Sequence, residues 1–150
     1  MTVPATERSR DPRVARIVDA FEALTPADIA RLGDYYSADA VFKDPFNAVR
    51  GVPAIQAVFR HMYVALDGPR FVIHDVITQG DQCVLTWDFI FRFRRFNREV
   101  QTVRGASHLK LDANGLITLH RDYWDVAEEL YEKLPGVGAL MRWLKRQANS

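Results

Sequence analysis

Apolar residues recur at helical spacing in the first part of the chain and again at its end. Prolines directly after Asp11 and Thr25 mark two helix starts, because each follows a residue suited to capping a helix. Val52-Pro53 opens a third helix. The segments that this pattern predicts are a helix at 11–24, a short helix at 25–36, an edge strand at 40–45, a loop at 47–51, a helix at 52–66 ended by Gly68-Pro69, and a last helix carrying Val137, Leu140, Met141 and Leu144.

Between residues 70 and 125 apolar and polar residues alternate instead. A period of two is typical of strands with one buried face. Turn residues at 80–81, 96–98 and 113–115 separate the segments. The alternation therefore predicts strands at 70–79, 82–95, 99–112 and 116–125. The longest of them places on one face Cys83, Leu85, Trp87, Phe89, Phe91 and Phe93.

The order of these elements predicts the fold class. Helices at the start of the chain can cover only one face of the sheet that follows them. We therefore expect an α+β domain, with a strongly curved antiparallel sheet shaped as a cone, N-terminal helices covering it and an extra C-terminal helix. A covered cone has a floor and one open mouth, which provides a pocket. We expect a disordered lead-in at 1–10 and a single domain at 11–150.

Composition narrows the class of protein further. The 150 residues fit one domain, and 20 basic against 19 acidic residues leave a net charge of +1, so no overall field attracts nucleic acid. Cys83 is the single cysteine, which excludes a disulfide within the chain. No stretch approaches 18 consecutive apolar residues, and the N-terminus lacks the apolar run of a signal peptide. We expect a cytoplasmic protein that does not span a membrane.

The strand LITLHRDYWD at 116–125 holds the strongest candidate chemistry. Alternation puts His120, Asp122 and Trp124 on one face. A carboxylate between an imidazole and an indole is a poor solution for a purely structural core, because burying an unpaired charge is costly. The arrangement suits a pocket that moves protons. Asp44 is the second candidate. Two carboxyls in one apolar cavity hold different protonation states and provide an acid and a base.

Structural alternatives stand beside each of these interpretations. Asp44 can cap a turn before Pro45, and Asp122 can pair with Arg121 or Arg104. His120 is a candidate auxiliary donor or a hydrogen-bonded core residue. The remaining histidines His61, His74 and His108 show no ligand spacing, so we expect no metal site and no cofactor.

Aromatic residues near the two aspartates are candidates for contacting a ligand. Phe42 and Trp124 are the next residues along the same strand faces as Asp44 and Asp122. Tyr36 is a plausible donor or packing residue on the second predicted helix. Trp87 lies on an aromatic stripe that either lines the pocket or forms core.

Two motifs carry a resemblance to a known superfamily: YYSADAVFKDPFNAVRG at 35–51 and GLITLHRDYWD at 115–125. With the order of elements, the chain resembles the nuclear-transport-factor-2-like superfamily, which includes ketosteroid isomerases, limonene-epoxide hydrolases and SnoaL-type polyketide cyclases. The resemblance implies that Asp44 matches the isomerase general base. Ala20 or Phe21 and Ser107 stand where those isomerases have oxyanion donors, which makes Ser107 a candidate ligand contact.

Asp122 resembles a catalytic carboxylate of the epoxide hydrolases and the single acid on which SnoaL-type cyclases chiefly rely. The hydrolases' Arg-x-Asp pair is absent from the segment at 86–90. The resemblance therefore implies a cofactor-independent isomerase or cyclase that moves a proton on a small, apolar carbonyl compound. The alternative is a non-catalytic pocket for a hydrophobic ligand, or a dimerisation module. We expect a homodimer through the open sheet face of Thr102, Arg104, Ala106 and His108.

Overall fold

The computed structural model describes residues 9–95, 98–130 and 136–148. In chain order the elements are α1 (Pro12–Glu22), a 3-10 helix (Pro26–Asp34), β1 (Tyr36–Lys43), β2 (Ala48–Arg50), α2 (Val52–Ala65), β3 (Leu66–Gln79), β4 (Gln82–Phe93), β5 (Gln101–Leu111), β6 (Ile117–Tyr123), α3 (Val126–Glu129) and α4 (Val137–Ala148). The α+β class with helices at the N-terminus is confirmed.

The six strands form one open sheet in the order β2-β1-β6-β5-β4-β3. Four neighbouring pairs are antiparallel, whereas β1 and β6 run parallel. The expected antiparallel sheet is therefore mixed. Parallel neighbours cannot be joined by a tight hairpin, and residues 44–116, about half of the chain, lie between β1 and β6. A sequence pattern that pairs each strand with its hairpin neighbour therefore cannot predict that β1 lies beside β6.

The N-terminal helices begin where the sequence predicts. The Asp11 carboxylate accepts from the backbone N–H of Arg13 and caps α1, which buries Val14, Ile17 and Val18. The second helix differs from the prediction, because it is a 3-10 helix that ends at Asp34. Tyr36 starts β1 instead, since it pairs with Ile117 of β6.

Two predicted boundaries are wrong for reasons of strand pairing. The expected loop at 47–51 contains β2, whose residues pair with the end of β1. The expected helix stop at Gly68-Pro69 lies inside β3, which starts at Leu66 directly after α2. The register of β3 and β4 shifts between Asp67 and Arg70, and Gly68 has a φ of 58° there. This irregularity accommodates a proline within an edge strand.

The predicted inner face of β4 is confirmed. Its side chains alternate, and Cys83, Leu85, Trp87 and Phe91 are buried. The core lies between this face and the helices α1 and α2, which contribute Ile17, Val18, Ile55 and Phe59.

The C-terminal part continues from β6 through α3. The Asp125 carboxylate caps α3 by accepting from the backbone N–H of Glu128. Of the other expectations, the lead-in up to residue 8 and the turn residues at 96–97 lie outside the described residues. Within the described ranges, no helix is both long and apolar enough to cross a membrane.

Candidate functional site

A cavity of about 300 Å3 opens between the inner face of the sheet and the helices. A volume of this size lies at the lower end of the range for small-molecule pockets. Ten of the 24 residues in its wall carry aromatic rings, and they are Phe21, Phe42, Phe46, Phe59, Phe71, Trp87, Phe89, Phe91, Phe93 and Trp124. The few polar side chains that reach the cavity are Asp44, Asn47, His61, Ser107, His120 and Asp122.

Four side chains of the cavity wall and one behind it form a continuous hydrogen-bonded row. The indole N–H of Trp87 donates to Ser107 Oγ at 2.8 Å, and the Ser107 hydroxyl donates to Asp122 Oδ1 at 2.5 Å. His120 Nε2 lies 2.7 Å from the same Oδ1. His120 Nδ1 lies 2.6 Å from the phenol oxygen of Tyr36. We call this row the polar relay: Tyr36, His120, Asp122, Ser107 and Trp87.

Strand register explains how the relay assembles. His120 and Asp122 are two residues apart on β6, so both point to the inner face. Ser107 of β5 is the direct cross-strand partner of Asp122. Trp87 of β4 faces Gly105 of β5, two residues from Ser107. The indole therefore reaches Ser107 diagonally across the pair of strands.

Burial fixes the protonation of Tyr36. The phenol is 1% exposed, and this burial, together with the charge of Asp122, raises the pKa of Tyr36 well above its usual value. The phenol thus keeps its proton, and His120 Nδ1 is the acceptor within its reach. With Nδ1 accepting, the imidazole proton lies on Nε2, directed at Asp122 Oδ1. Tyr36 lies behind His120, and not in the cavity wall where the sequence suggested a ligand contact.

Asp122 presents one occupied and one open oxygen. Its Oδ1 accepts from both Ser107 and His120, whereas Oδ2 accepts no hydrogen bond from the described part of the chain. The side chain is 15% exposed. Neither arginine considered as its partner contacts it, because Arg104 pairs with Glu129 at 3.1 Å and the Arg121 guanidinium lies over the Tyr123 ring.

Asp44 occupies both of the positions that its sequence allowed, a turn cap and a place in the cavity wall. Its Oδ1 accepts from the backbone N–H groups of Phe46 and Asn47, at 2.8 and 2.6 Å. The Asn47 side-chain amide donates to both carboxylate oxygens at 3.1 Å. Asp44 thus caps a turn and also lines the cavity.

The mouth of the cavity lies at the ends of β1 and β6. Asp44, Asp122 and Trp124 line both the cavity and a shallow outer groove, which also carries Lys43 and Arg121. The Phe46 ring packs edge-on against Trp124 with centroids 5.6 Å apart. Both carboxylates are therefore reachable from outside through one aromatic-lined opening.

The structure brings together Asp44, Asp122, His120, Phe42, Trp124, Trp87 and Ser107 in the cavity wall, as the sequence analysis grouped them. Sequence reasoning missed Asn47, although an Asp-Pro pair followed closely by asparagine, as in Asp44-Pro45-Phe46-Asn47, is a turn signal. It also set aside His61, which α2 brings to the cavity. Within the described residues, no group of three or more His, Cys, Asp or Glu side chains is arranged to hold a metal ion.

A comparison with protein families matches residues 17–120 to the SnoaL-like domain. The match ends at His120, two residues before Asp122. Among curated proteins, a search finds no match to the chain.

Solved structures share the fold at low identity. A hypothetical protein from Catenulispora acidiphila with a ketosteroid isomerase-like fold, in complex with trimethylamine, has 18% identity and a TM-score of 0.67, covering 79% of this chain and 89% of that chain. An M. tuberculosis LEH-like epoxide hydrolase has 23% identity and a TM-score of 0.64, with 90% and 95% covered. TerC, co-crystallised with polyporic acid, has 18% identity and a TM-score of 0.64, with 84% and 95% covered.

Proposed function

Because this chain belongs to the SnoaL-like domain family, we propose that it is a cofactor-independent isomerase or cyclase that moves a proton on a small, apolar carbonyl compound. One observation carries the proposal. The Asp122 carboxylate stands at an aromatic-lined cavity with Oδ1 held by two donors and Oδ2 open. A carboxylate held in this way is pre-organised to act as a general base.

In the proposed reaction Asp122 Oδ2 takes a proton from the carbon next to the substrate carbonyl. The C–H electron pair moves into the C–C bond, and the carbonyl π electrons move to oxygen, which gives an enolate. Where the substrate has a β,γ double bond the enolate is a dienolate, and an isomerase returns the proton from Asp122 to its γ carbon. A cyclase instead joins the enolate carbon to a second carbonyl of the same molecule, and the proton goes to the new alkoxide. Both sequences balance without an external oxidant or reductant.

His120 and Tyr36 act in this mechanism through Asp122. The Nε2–H of His120 stabilises the carboxylate, and the Tyr36 hydroxyl holds the imidazole in the tautomer that donates. Asp44 is proposed as a second base or an orienting group at the mouth. Its bonds to Asn47 limit its movement, which suits an orienting role.

Two structural neighbours support a small-molecule ligand for the fold. One was solved in complex with trimethylamine and another was co-crystallised with polyporic acid. The aromatic wall around Asp122 favours a ligand that is mostly apolar.

The direct test uses a carbon acid that fits the cavity, and 2-tetralone is a suitable probe. NMR follows the exchange of its α-protons in D2O with wild type, Asp122→Asn and Asp44→Asn. General-base catalysis contributes roughly 10²- to 10⁴-fold, so Asp122→Asn is expected to lose at least about 100-fold in exchange rate. Unchanged thermal unfolding of both variants provides the control. Wild-type exchange rates in both variants would refute the enzyme proposal.

The second candidate is a non-catalytic pocket for a hydrophobic ligand. The observation that favours it is that the indole of Trp87, the hydroxyl of Ser107 and both nitrogens of His120 are already used within the relay. These donors would therefore stabilise an enolate oxygen only weakly, and such stabilisation commonly makes a large contribution to catalysis. Saturable 2-tetralone binding by calorimetry, without exchange above the buffer rate, would favour this candidate.

We also propose that the chain forms a homodimer through the β5 face of Thr102, Arg104, Ala106 and His108. An open sheet face of mixed polarity is commonly covered by a partner. Light scattering at micromolar concentration tests this, and a monomer mass would refute it.

A further inference from the structure

The direction of the hydrogen bonds at Ser107 follows from the chemistry of its neighbours. An indole N–H donates and cannot accept, and a serine hydroxyl has a single proton. Because Trp87 Nε1 lies 2.8 Å from Ser107 Oγ, the serine oxygen must accept there. Its proton is then committed to Asp122 Oδ1, at 2.5 Å. Ser107 is 5% exposed, so water offers it little alternative.

Gly105 determines where the indole lies. Trp87 and Gly105 are cross-strand partners, and a Cβ added to Gly105 would meet the Trp87 ring atoms at 2.5 and 2.9 Å. The glycine is thus required for space rather than for its backbone freedom. The Phe71 ring packs edge-on against the indole, with centroids 5.6 Å apart. These contacts hold Nε1 against Ser107.

We propose that Trp87 and Ser107 are positioning residues: the indole N–H favours donation of the Ser107 hydroxyl to Asp122 Oδ1, which leaves Oδ2 as the oxygen that meets the ligand. From the sequence, both residues were candidates for ligand contact; here they act through Asp122. This role rests on the proposed function for the identity of the reacting group.

The same hydrogen bonds would stabilise a protonated Asp122 less well than an ionised one. A neutral serine can either donate to a carboxylate or accept from a carboxylic acid, and Trp87 disfavours the second arrangement because its N–H already occupies one of the two acceptor positions on Ser107 Oγ. Donors aimed at the ionised form favour it. Without the indole N–H, Ser107 can rotate and accept from the protonated acid, so protonation becomes easier.

Other charged and titratable groups surround Asp122 and influence how its protonation depends on pH. His120 precedes it on its own strand, Tyr36 lies behind His120, and Asp44 and His61 reach the same cavity from β1 and α2. On the outer side the shared groove carries Lys43, Arg121 and Asp125. Substitutions at Trp87 leave all of these in place, so a difference between variants reports on the hydrogen bond.

The experiment follows the carboxyl carbon of Asp122 by 13C NMR as a function of pH in the full-length protein without ligand, with Asp122→Asn assigning the signal. In Trp87→Phe the aromatic ring stays and the N–H is lost. Its titration midpoint is expected to rise by about half a pH unit to one unit, where one unit is tenfold in proton affinity. Trp124→Phe is the matched control. Trp124 also lines the cavity but donates no hydrogen bond within the described residues, so its midpoint should equal that of wild type.

A second pair of variants keeps the inference testable if Trp87→Phe fails to fold. Ser107→Ala removes the donor to Asp122 and should raise the midpoint, whereas Ser107→Thr keeps a hydroxyl and should restore it. A midpoint that stays at the wild-type value in Trp87→Phe, or that rises equally in Ser107→Thr and Ser107→Ala, would overturn the inference. No substrate enters this measurement, so it is decided separately from the exchange experiment on Asp122.

Discussion

Tyr36 and His120 are 84 positions apart in sequence, yet the phenol oxygen lies 2.6 Å from Nδ1 and the two rings are nearly parallel, at 4°. Both groups are buried. The contact arises because β1 runs beside β6. It fixes the tautomer of the imidazole and turns its other nitrogen toward Asp122. Tyr36, which lies outside the cavity, therefore determines which nitrogen of His120 carries the proton.

We predict that Tyr36→Phe destabilises the protein at neutral pH. The substitution leaves Nδ1 of His120 buried without its partner, which costs roughly 1–3 kcal/mol. Urea unfolding at pH 7 measures the change. Tyr35→Phe is the control, because Tyr35 is half-buried beneath the Arg16 guanidinium and its hydroxyl makes no hydrogen bond within the described chain. Equal unfolding midpoints for wild type and Tyr36→Phe would contradict the prediction.

The raised pKa of Tyr36 also predicts a loss of stability in alkali. The unfolded chain releases the phenol proton near the usual value of 10, whereas the folded chain holds it to higher pH. The unfolded state is thus favoured as pH rises above about 10, and the stability contributed by the neutral phenol is fully present below that pH. The free energy of unfolding from pH 9 to 11 should therefore fall more steeply for wild type than for Tyr36→Phe. Parallel curves would count against the buried, protonated phenol.

We predict that Gly105→Ala is destabilising out of proportion to its size. The new methyl group would overlap the Trp87 ring, and overpacking of this kind costs roughly 1–3 kcal/mol. Gly33→Ala is the matched control, because a Cβ there meets Val52 at an ordinary 3.9 Å. Thermal unfolding compares the two. Similar melting temperatures would mean that the indole moves aside easily.

The single cysteine should be unreactive in the folded protein. Cys83 is 1% exposed, and burial raises the pKa of its thiol to about 11. Reaction with a disulfide reagent such as 5,5′-dithiobis(2-nitrobenzoic acid) at pH 8 is expected to be slow in the native state and complete within the mixing time in denaturant. Rapid labelling without denaturant would show that β4 opens locally.

The sequence by itself determined those structural features that depend on a single helix or strand. Period two in β4 identified its inner face, and the spacing of His120 and Asp122 placed both on the inner face of β6, because alternation is a property of the single strand. The Asp11-Pro12 start of α1 is equally local, since the cap uses a donor only two residues away.

The tertiary structure decided the partners of these side chains. Nothing in the local pattern indicates that Tyr36 leaves the helix to pair beside β6, that Asp122 meets Ser107 instead of an arginine, or that Gly105 makes room for Trp87. Each of these contacts depends on the register between segments distant in sequence. A shift of one residue in that register would turn every side chain of a strand to its other face, so the relay exists only because the whole sheet fixes it.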